Sequence, residues 1–199
     1  TFHLFKGQGK GEFSPEPEEI KVDGRPLKID GYHSDPFVVD WDGDGDLDLL
    51  SGSAEGGVQW AENRAGPGKT PQLGPFRSLI DRGPRLEYGQ ILREADLKGP
   101  SGDTRIWVDD VNSDGKLDVL VGDMTPLISP AGTLTEAEFK QKAAEWNEAI
   151  GKAGTELNAS RDDPKKQSEA RERYQKLYER RSEFMKEDRT GFVWLYLRK

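Results

Sequence analysis

Two short acidic windows hold the residues of this chain that are best suited to chemistry. The first reads Asp40-Trp-Asp-Gly-Asp-Gly-Asp-Leu-Asp48, and the second reads Asp110-Val-Asn-Ser-Asp-Gly-Lys-Leu-Asp118. In a tight loop of this kind the odd positions point inward, and the glycine at the sixth position allows a sharp turn. Calcium prefers such oxygen ligands and takes about six to eight of them. We therefore predict two calcium sites, with the ligands Asp40, Asp42, Asp44, the carbonyl of Asp46 and Asp48 in the first loop, and Asp110, Asn112, Asp114, the carbonyl of Lys116 and Asp118 in the second.

Three other interpretations of the acidic loops make different demands. An EF-hand needs a bidentate glutamate at the twelfth position and flanking helices, whereas that position is Ser51 or Val121 and the flanks are apolar and strand-like. Magnesium favours a near-octahedral site that keeps several waters, so it suits these loops less well. Two acidic turns without any ion are the third interpretation. If calcium binds, the first loop should hold it more tightly, because it brings four carboxylates together.

The elements that must position these loops occur twice. Residues 36–52 align without a gap on residues 106–122, at an offset of 70. Each copy has an apolar strand, an acidic loop and a second apolar strand, bounded by Gly and Asp as sheet strands are. A third strand with alternating faces follows the first copy at residues 57–63, and residues 191–197 look like the same strand of the second copy. Residues 2–13 look like this third strand and the following turn of an earlier copy.

This repeated pattern resembles the FG-GAP/VCBS family of β-propeller repeats, seen in integrin α-subunit heads and in many exported bacterial proteins. The matching residues are 1–78 and 104–122, and the pattern resumes at residues 191–199 after the intervening segment. The resemblance implies that each repeat is one blade and that the acidic loop between its first two strands binds calcium. About two and a half blades are visible, whereas a propeller needs about four to close a ring. We expect a mainly β fold with an incomplete ring, either a fragment of a longer protein, which we favour, or a chain that a partner completes.

Residues 134–189 separate the second and third strands of the second copy, and their composition predicts an inserted antiparallel helical hairpin. Thr135 and Glu138 form a capping box, and the first helix should end near residues 151–154 or continue to Leu157. Asp163 and Pro164 mark the start of the second helix. The apolar positions predicted for the two helices are Phe139, Ala143, Trp146 and Ile150, followed by Ala170, Tyr174, Leu177, Phe184 and Met185. The chain is thus predicted to consist of propeller blades at residues 1–133, an inserted hairpin at residues 134–189 and a returning strand of the second blade at residues 190–199. Within the insertion, the two helices are predicted to occupy residues 135–188.

Composition narrows the possible classes of function. The 199 residues include 29 Lys+Arg and 37 Asp+Glu, which gives a net charge of −8, and no cysteine. An acidic chain is poorly suited to phosphate backbones, so we do not expect a nucleic-acid partner. Without cysteine there are no disulfides, zinc–thiolate sites or cysteine nucleophiles, and no run approaches the roughly 18 apolar residues of a membrane span. No nucleophile elbow or zinc-binding HExxH motif occurs, and we interpret His33 as a turn residue rather than a base.

These patterns favour a calcium-stabilised β-propeller binding module without catalysis of its own. The resemblance implies an exported bacterial protein, extracellular or periplasmic, whose ligand is a protein or a glycan. The alternative is the propeller portion of an extracellular carbohydrate-active enzyme, a lyase or a hydrolase, because propellers can host catalysis and fold alone does not decide function. On either interpretation, the remainder of the parent protein or a partner chain completes the propeller.

Overall fold

A computed structural model describes residues 1–32, 35–83 and 89–199 of the chain. The fold is mainly β, with small antiparallel sheets and two α-helices. The sheets of these described residues form no closed barrel or ring. The chain divides into two compact units, of which the first is Thr1–Pro84, Lys98–Thr125 and Gly191–Lys199, and the second is Arg85–Leu97 and Pro126–Thr190. His33 lies outside the described residues.

The strands of the described residues are numbered in chain order. They are His3–Leu4 (β1), Gly7–Gly9 (β2), Glu12–Phe13 (β3), Glu18–Glu19 (β4), Lys21–Val22 (β5), Arg25–Pro26 (β6), Asp35–Val39 (β7), Asp48–Gly52 (β8), Val58–Ala61 (β9), Arg77–Ile80 (β10), Arg105–Asp109 (β11), Asp118–Gly122 (β12), Thr125–Pro130 (β13), Met185–Thr190 (β14) and Val193–Tyr196 (β15). The helices are Glu136–Ala159 (α1) and Pro164–Glu179 (α2), with 3-10 turns at Glu94–Asp96 and Arg180–Glu183. Sheet A has the strand order β10-β9-β8-β7, and sheet B has the order β11-β12-β15.

The three strands of sheet B repeat the register of β7, β8 and β9 in sheet A. In sheet A, Leu50 lies between Phe37 on β7 and Trp60 on β9. The corresponding row of sheet B consists of Trp107, Leu120 and Leu195. The first two strands are therefore offset by 70 residues (107 − 37 and 120 − 50), as in the sequence alignment. Strand β15 takes in sheet B the place that β9 has in sheet A, although about seventy residues separate it from β12.

One hydrophobic core fills the space between sheets A and B. Strand β11 buries Ile106 and Val108 and leaves its other residues exposed, which is the two-residue period of a half-buried strand. Sheet A supplies Leu50 and Val58 to the same core, both almost completely buried. On the other side of sheet A, Leu49 packs on apolar residues of the N-terminal strands. The first unit is thus layered, with sheet A covered on both faces.

A buried threonine ahead of β11 joins the two copies. Its hydroxyl, Thr104 Oγ1, accepts a hydrogen bond from the Ser53 N–H at 2.8 Å and lies 3.0 Å and 2.8 Å from the carbonyl oxygens of Ser53 and Gly57. The approach is so close that a Cβ at Gly52 would lie 2.3 Å from the Thr104 carbonyl oxygen. Glycine at position 52 therefore allows the second copy to pack against the end of β8.

The helical hairpin dominates the second unit. Helix α1 begins with the predicted capping box, because Thr135 Oγ1 accepts a hydrogen bond from the Glu138 N–H and the Glu138 carboxylate accepts one from the Thr135 N–H. The side chain of Asp163 caps α2, as predicted. The indole N–H of Trp146 donates to the Leu177 carbonyl at 2.7 Å and joins the two helices. The predicted stripe on α1 is buried at Phe139, Ala143 and Trp146.

The predicted end is close for α1 and wrong for α2. Helix α1 continues through residues 151–154 and ends at Ala159, just beyond the second predicted end at Leu157. The expectation of helix over residues 135–188 is wrong at its C-terminal end, because α2 ends at Glu179 and β14 is a strand paired with β13. Phe184 and Met185 are both buried, in the core that also contains Phe139 and Trp146. A 3-10 turn over Arg180–Glu183 ends the helix, and the Phe184 carbonyl then accepts a hydrogen bond from the Ala131 N–H at 2.9 Å, so the chain continues into the pairing with β13.

Candidate metal centre

The first acidic loop brings three carboxylates together. It connects β7 to β8, whose pairing of Val39 with Asp48 fixes both ends of the loop. Each of Asp40, Asp42 and Asp44 offers one carboxylate oxygen, and these three oxygens lie within 4.8 Å of one another. Three oxygens at that separation can bind one cation, since Ca–O distances are about 2.3–2.6 Å. These three predicted ligands could therefore hold one metal ion.

Backbone N–H groups of the loop hold the carboxylates in place. Asp40 accepts hydrogen bonds from the Gly43 N–H at 2.8 Å and from the Gly45 N–H at 3.1 Å. Asp42 and Asp44 each accept one through Oδ1, from the N–H groups two residues further on. Their Oδ2 atoms accept no hydrogen bond from the part of the chain that the structure describes. These two oxygens are therefore available to a ligand.

The electrostatics of the first loop also favour a cation. Within residues 1–32, 35–83 and 89–199, no Lys or Arg forms an ion pair with Asp40, Asp42 or Asp44. Partial burial, followed by the negative charge of Asp48, raises the pKa of Asp42 above its ordinary value. Neighbouring negative charges thus disfavour the ionised form of Asp42. A bound cation would reverse this effect.

Asp48, predicted as the ligand at the ninth position, makes two hydrogen bonds inside the protein. It is 1% exposed, and its two oxygens accept hydrogen bonds from the Trp41 N–H at 3.1 Å and from the Asn63 N–H at 2.7 Å. Trp41 belongs to the acidic loop, and Asn63 follows the third strand of sheet A. Asp48 therefore braces the loop against the sheet, and the structure does not place it in the cluster of Asp40, Asp42 and Asp44.

The side chain of Asp46, for which the sequence suggested only a backbone role, is also buried. One of its oxygens accepts a hydrogen bond from the Gly66 N–H at 2.7 Å, while Oδ1 has no hydrogen-bond partner among the described residues. Asn63 adds a second link, since its amide donates to the Leu47 carbonyl at 3.1 Å. The turn after β9 thus supports the acidic loop from outside, which sequence reasoning missed because these contacts span about 16 to 20 residues.

The second acidic loop repeats the geometry of the first with less charge. Asp110 accepts hydrogen bonds from the Asp114 N–H at 3.0 Å and from the Gly115 N–H at 2.9 Å. The amide of Asn112 donates to Asp114 Oδ2 at 3.2 Å, so one oxygen that is free in the first loop is occupied here. Lys116 is exposed and its N–H donates to Asp114 Oδ1. The loop therefore offers fewer free carboxylate oxygens than the first, and its weaker affinity for a cation stays a prediction.

Asp118 repeats the role of Asp48. Its two oxygens accept hydrogen bonds from the Val111 N–H at 3.1 Å and from the Arg198 N–H at 2.9 Å. The side chain of Arg198 in turn donates to the Trp41 carbonyl at 2.6 Å and lies 4.8 Å above the Trp41 ring. The end of the second copy is therefore attached to the acidic loop of the first. No motif in the sequence identified Arg198.

A separate cleft of about 390 Å³ lies at the edge of sheet A. Its polar lining includes Asp30, Asp81, and an ion pair between Glu55 and Arg82. Phe76 contributes an apolar surface. Clefts of this size and mixed character are suited to small polar ligands.

No protein family, curated protein or solved structure matches the chain. None of the helices in the described ranges is long and apolar enough to cross a membrane. Support for a function therefore comes from the acidic loops and from the sheets that hold them.

Proposed function

We propose that this chain is a calcium-stabilised binding module built from FG-GAP/VCBS-like propeller blades, with no catalysis of its own. The observation that carries the proposal is the duplication: sheets A and B share one strand register, and each has an acidic loop between its first two strands. In the first loop, oxygens of Asp40, Asp42 and Asp44 lie within 4.8 Å of one another. A repeated sheet with a repeated loop supports a structural role for the ion rather than a catalytic one.

Calcium in this role stabilises the turn between the first and second strands of each blade. The resemblance to the repeat family supports an exported bacterial protein, extracellular or periplasmic, where calcium is abundant enough for weak sites to fill. A protein or a glycan is the proposed ligand. The remainder of the parent protein, or a partner chain, supplies the sheets that complete the propeller.

Thermal unfolding with and without calcium tests the metal sites. An ion that binds only the folded state stabilises it by about 2.7 kcal/mol at a hundredfold excess over Kd, or roughly 5–10 °C in Tm for a chain of this size. We expect a chelator to lower Tm and calcium to restore it. Asp44→Ala should remove most of this response and Asp114→Ala a smaller part. Asp30→Ala, an exposed aspartate outside both loops, is the matched control and should leave the response unchanged.

Two results would contradict the calcium proposal. The first is a Tm that does not change with chelator, together with no bound metal by elemental analysis. The second is an equal response of Asp44→Ala and Asp30→Ala, which would show that the stabilisation arises away from the acidic loops.

The cleft at the edge of sheet A favours the second candidate, the propeller portion of an extracellular carbohydrate-active enzyme. Its three carboxylates and one arginine are groups that bind sugar hydroxyls, and Phe76 can pack on a sugar ring. A glycan-array experiment combined with a turnover assay on polysaccharides separates the two functions. Binding without turnover supports the module, whereas turnover that is lost in Glu55→Gln supports the enzyme.

A further inference from the structure

One face of sheet B is apolar and open to solvent. The face is formed by alternate residues of β11 and β15, together with Leu120 between them. Trp107 is 59% exposed, Leu195 is 49% exposed and Val193 is 73% exposed. The rings of Trp107 and Phe37 are arranged edge to face, with 5.6 Å between their centroids. We call this set the open face: it consists of the exposed residues Trp107, Val193, Leu195 and Leu197 and the half-buried Leu120.

The same face of sheet A is covered. Phe37, Leu50 and Trp60 occupy in sheet A the positions that Trp107, Leu120 and Leu195 occupy in sheet B. These sheet A residues pack in the core against the inner side of sheet B. The first copy therefore uses this face for contact between sheets. The open face is the equivalent surface of the second copy, and the described residues leave it uncovered.

Charges at the two ends of β11 indicate what covers the open face. Arg105, Trp107 and Asp109 follow one another on the same side of the strand and are all exposed. Arg105 makes only a 4.0 Å ion pair with Asp35. Two such faces can meet about a twofold axis that lies in the plane between the sheets and runs perpendicular to the strands. In this arrangement β11 runs antiparallel to its copy. Arg105 of one copy then faces Asp109 of the other, and the Trp107 side chains meet at the centre.

The rest of the open face fits the same arrangement. Val193 is the first residue of β15 and Leu197 directly follows its last residue, and both are apolar and exposed. The twofold axis therefore places apolar side chains opposite apolar ones and a positive charge opposite a negative one. We propose that a second copy of this chain covers the open face, so that two sheets B pack face to face in a symmetric dimer. The inference stands on the sheet geometry and does not require the proposed calcium sites.

The small area of the open face predicts a weak dimer. Three strands about 4.8 Å apart and five residues of about 3.3 Å each span roughly 250 Å². A stable interface buries about 800 Å² on each partner. An interface of this size belongs to the weak, transient class, so the dimer forms in a concentration-dependent way.

Sedimentation velocity of the full chain from about 10 µM to 1 mM measures this equilibrium directly. We expect a monomer at the lowest concentration and a growing dimer fraction above it. Leu195→Lys places two ammonium groups at the centre of the interface and should abolish the dimer. Val38→Lys is the matched control, because Val38 is 61% exposed on a strand of sheet A, outside the open face, and it should leave the dimer unchanged. Thermal melts check that both variants fold.

A charge exchange tests the antiparallel arrangement. Arg105→Asp places aspartates opposite one another at both ends of β11 and should weaken the dimer about tenfold. Adding Asp109→Arg restores opposite charges across the interface, so the double variant should return to within about twofold of the original Kd. If the strands packed in parallel, each position would face its own copy, and the unmodified chain, Arg105→Asp and the double variant would all place like charges opposite one another. The three proteins would then dimerise alike.

Three outcomes would overturn the proposal. The first is a chain that stays monomeric at 1 mM, which would leave the face to another occupant such as a further repeat of a longer protein. The second is a dimer that persists in Leu195→Lys but not in Val38→Lys. The third is a double charge variant that associates no better than Arg105→Asp alone.

Discussion

Replacing Asp48 tests whether the ninth position of the acidic loop is a brace or a metal ligand. Asp48→Ala leaves the buried N–H groups of Trp41 and Asn63 without their acceptor. Each unsatisfied buried N–H costs about 1–3 kcal/mol. We therefore expect Asp48→Ala to lower the free energy of unfolding by about 4 kcal/mol, or roughly 10 °C in Tm for a chain of this size.

Two further variants should lower the free energy of unfolding by smaller amounts. Asp48→Asn keeps one acceptor oxygen but turns an amide N–H₂ toward the other donor, so it should cost about 2 kcal/mol. Asp118→Ala removes the same pair of hydrogen bonds in the second copy. Val111 and Arg198 are both exposed, so water can replace part of what is lost. We expect a cost of about 2 kcal/mol for Asp118→Ala.

Urea unfolding followed by circular dichroism, with a chelator in excess, separates the two roles of Asp48. Chelation removes any contribution from a bound ion, whereas the hydrogen bonds to Trp41 and Asn63 are unaffected. Asp30→Ala is the control and should stay within about 0.5 kcal/mol of the unmodified chain. If Asp48→Ala lay within about 1 kcal/mol of this control in chelator, the brace would be refuted and Asp48 would act as a ligand only.

Three other substitutions and conditions give measurable outcomes. Thr104→Val should cost about 2 kcal/mol in urea unfolding, because it keeps the shape of the side chain but leaves the buried Ser53 N–H without an acceptor. Gly52→Ala should cost about 3 kcal/mol or more in thermal unfolding, since its Cβ would lie 2.3 Å from the Thr104 carbonyl oxygen, whereas Gly7→Ala, with no atom within 4 Å, should be nearly neutral. Because the pKa of Asp42 is raised by burial and by Asp48, calcium affinity by isothermal titration should begin to fall at a higher pH than an ordinary aspartate would give. Without calcium, the free energy of unfolding changes with pH in the opposite direction. The folded form then binds the proton more readily than the unfolded form, so the protein becomes more stable as pH falls through the raised pKa of Asp42. Asp42→Asn should flatten both pH profiles.

The sequence predicts the duplication well because its signals are local. Strands such as β7 and β11 alternate or cluster apolar residues between Gly and Asp, and the loops carry their own turn residues. The pairing of Val193–Tyr196 with β12 also follows from likeness to the third strand of the first copy. A short acidic loop fixes the register of β7 with β8 and of β11 with β12, so these local patterns repeat in the fold.

The sequence fails where the outcome depends on distant residues. Asp48 and Asp46 look like members of a ligand series, but their side chains are held by Asn63 and Gly66 on another turn. The predicted end of α2 is wrong because Phe184 and Met185 keep a helical spacing in the sequence, whereas the chain there pairs with β13, which lies before both helices. Propensity and spacing carry no information about such contacts.

The third strand of sheet B has a consequence for how the protein is made. While the chain leaves the ribosome, sheet A and the N-terminal strands can pair, and the second unit can fold, because all their residues are already synthesised. Sheet B must wait for residues 193–196, so β12 keeps one unpaired edge during synthesis of the intervening residues. The hydrogen bond from the Asp123 N–H to the Phe192 carbonyl, at 3.0 Å, brings the late strand back beside β12. Closing sheet B is therefore a late event in biosynthesis, and β12 is the segment most in need of protection from aggregation until then.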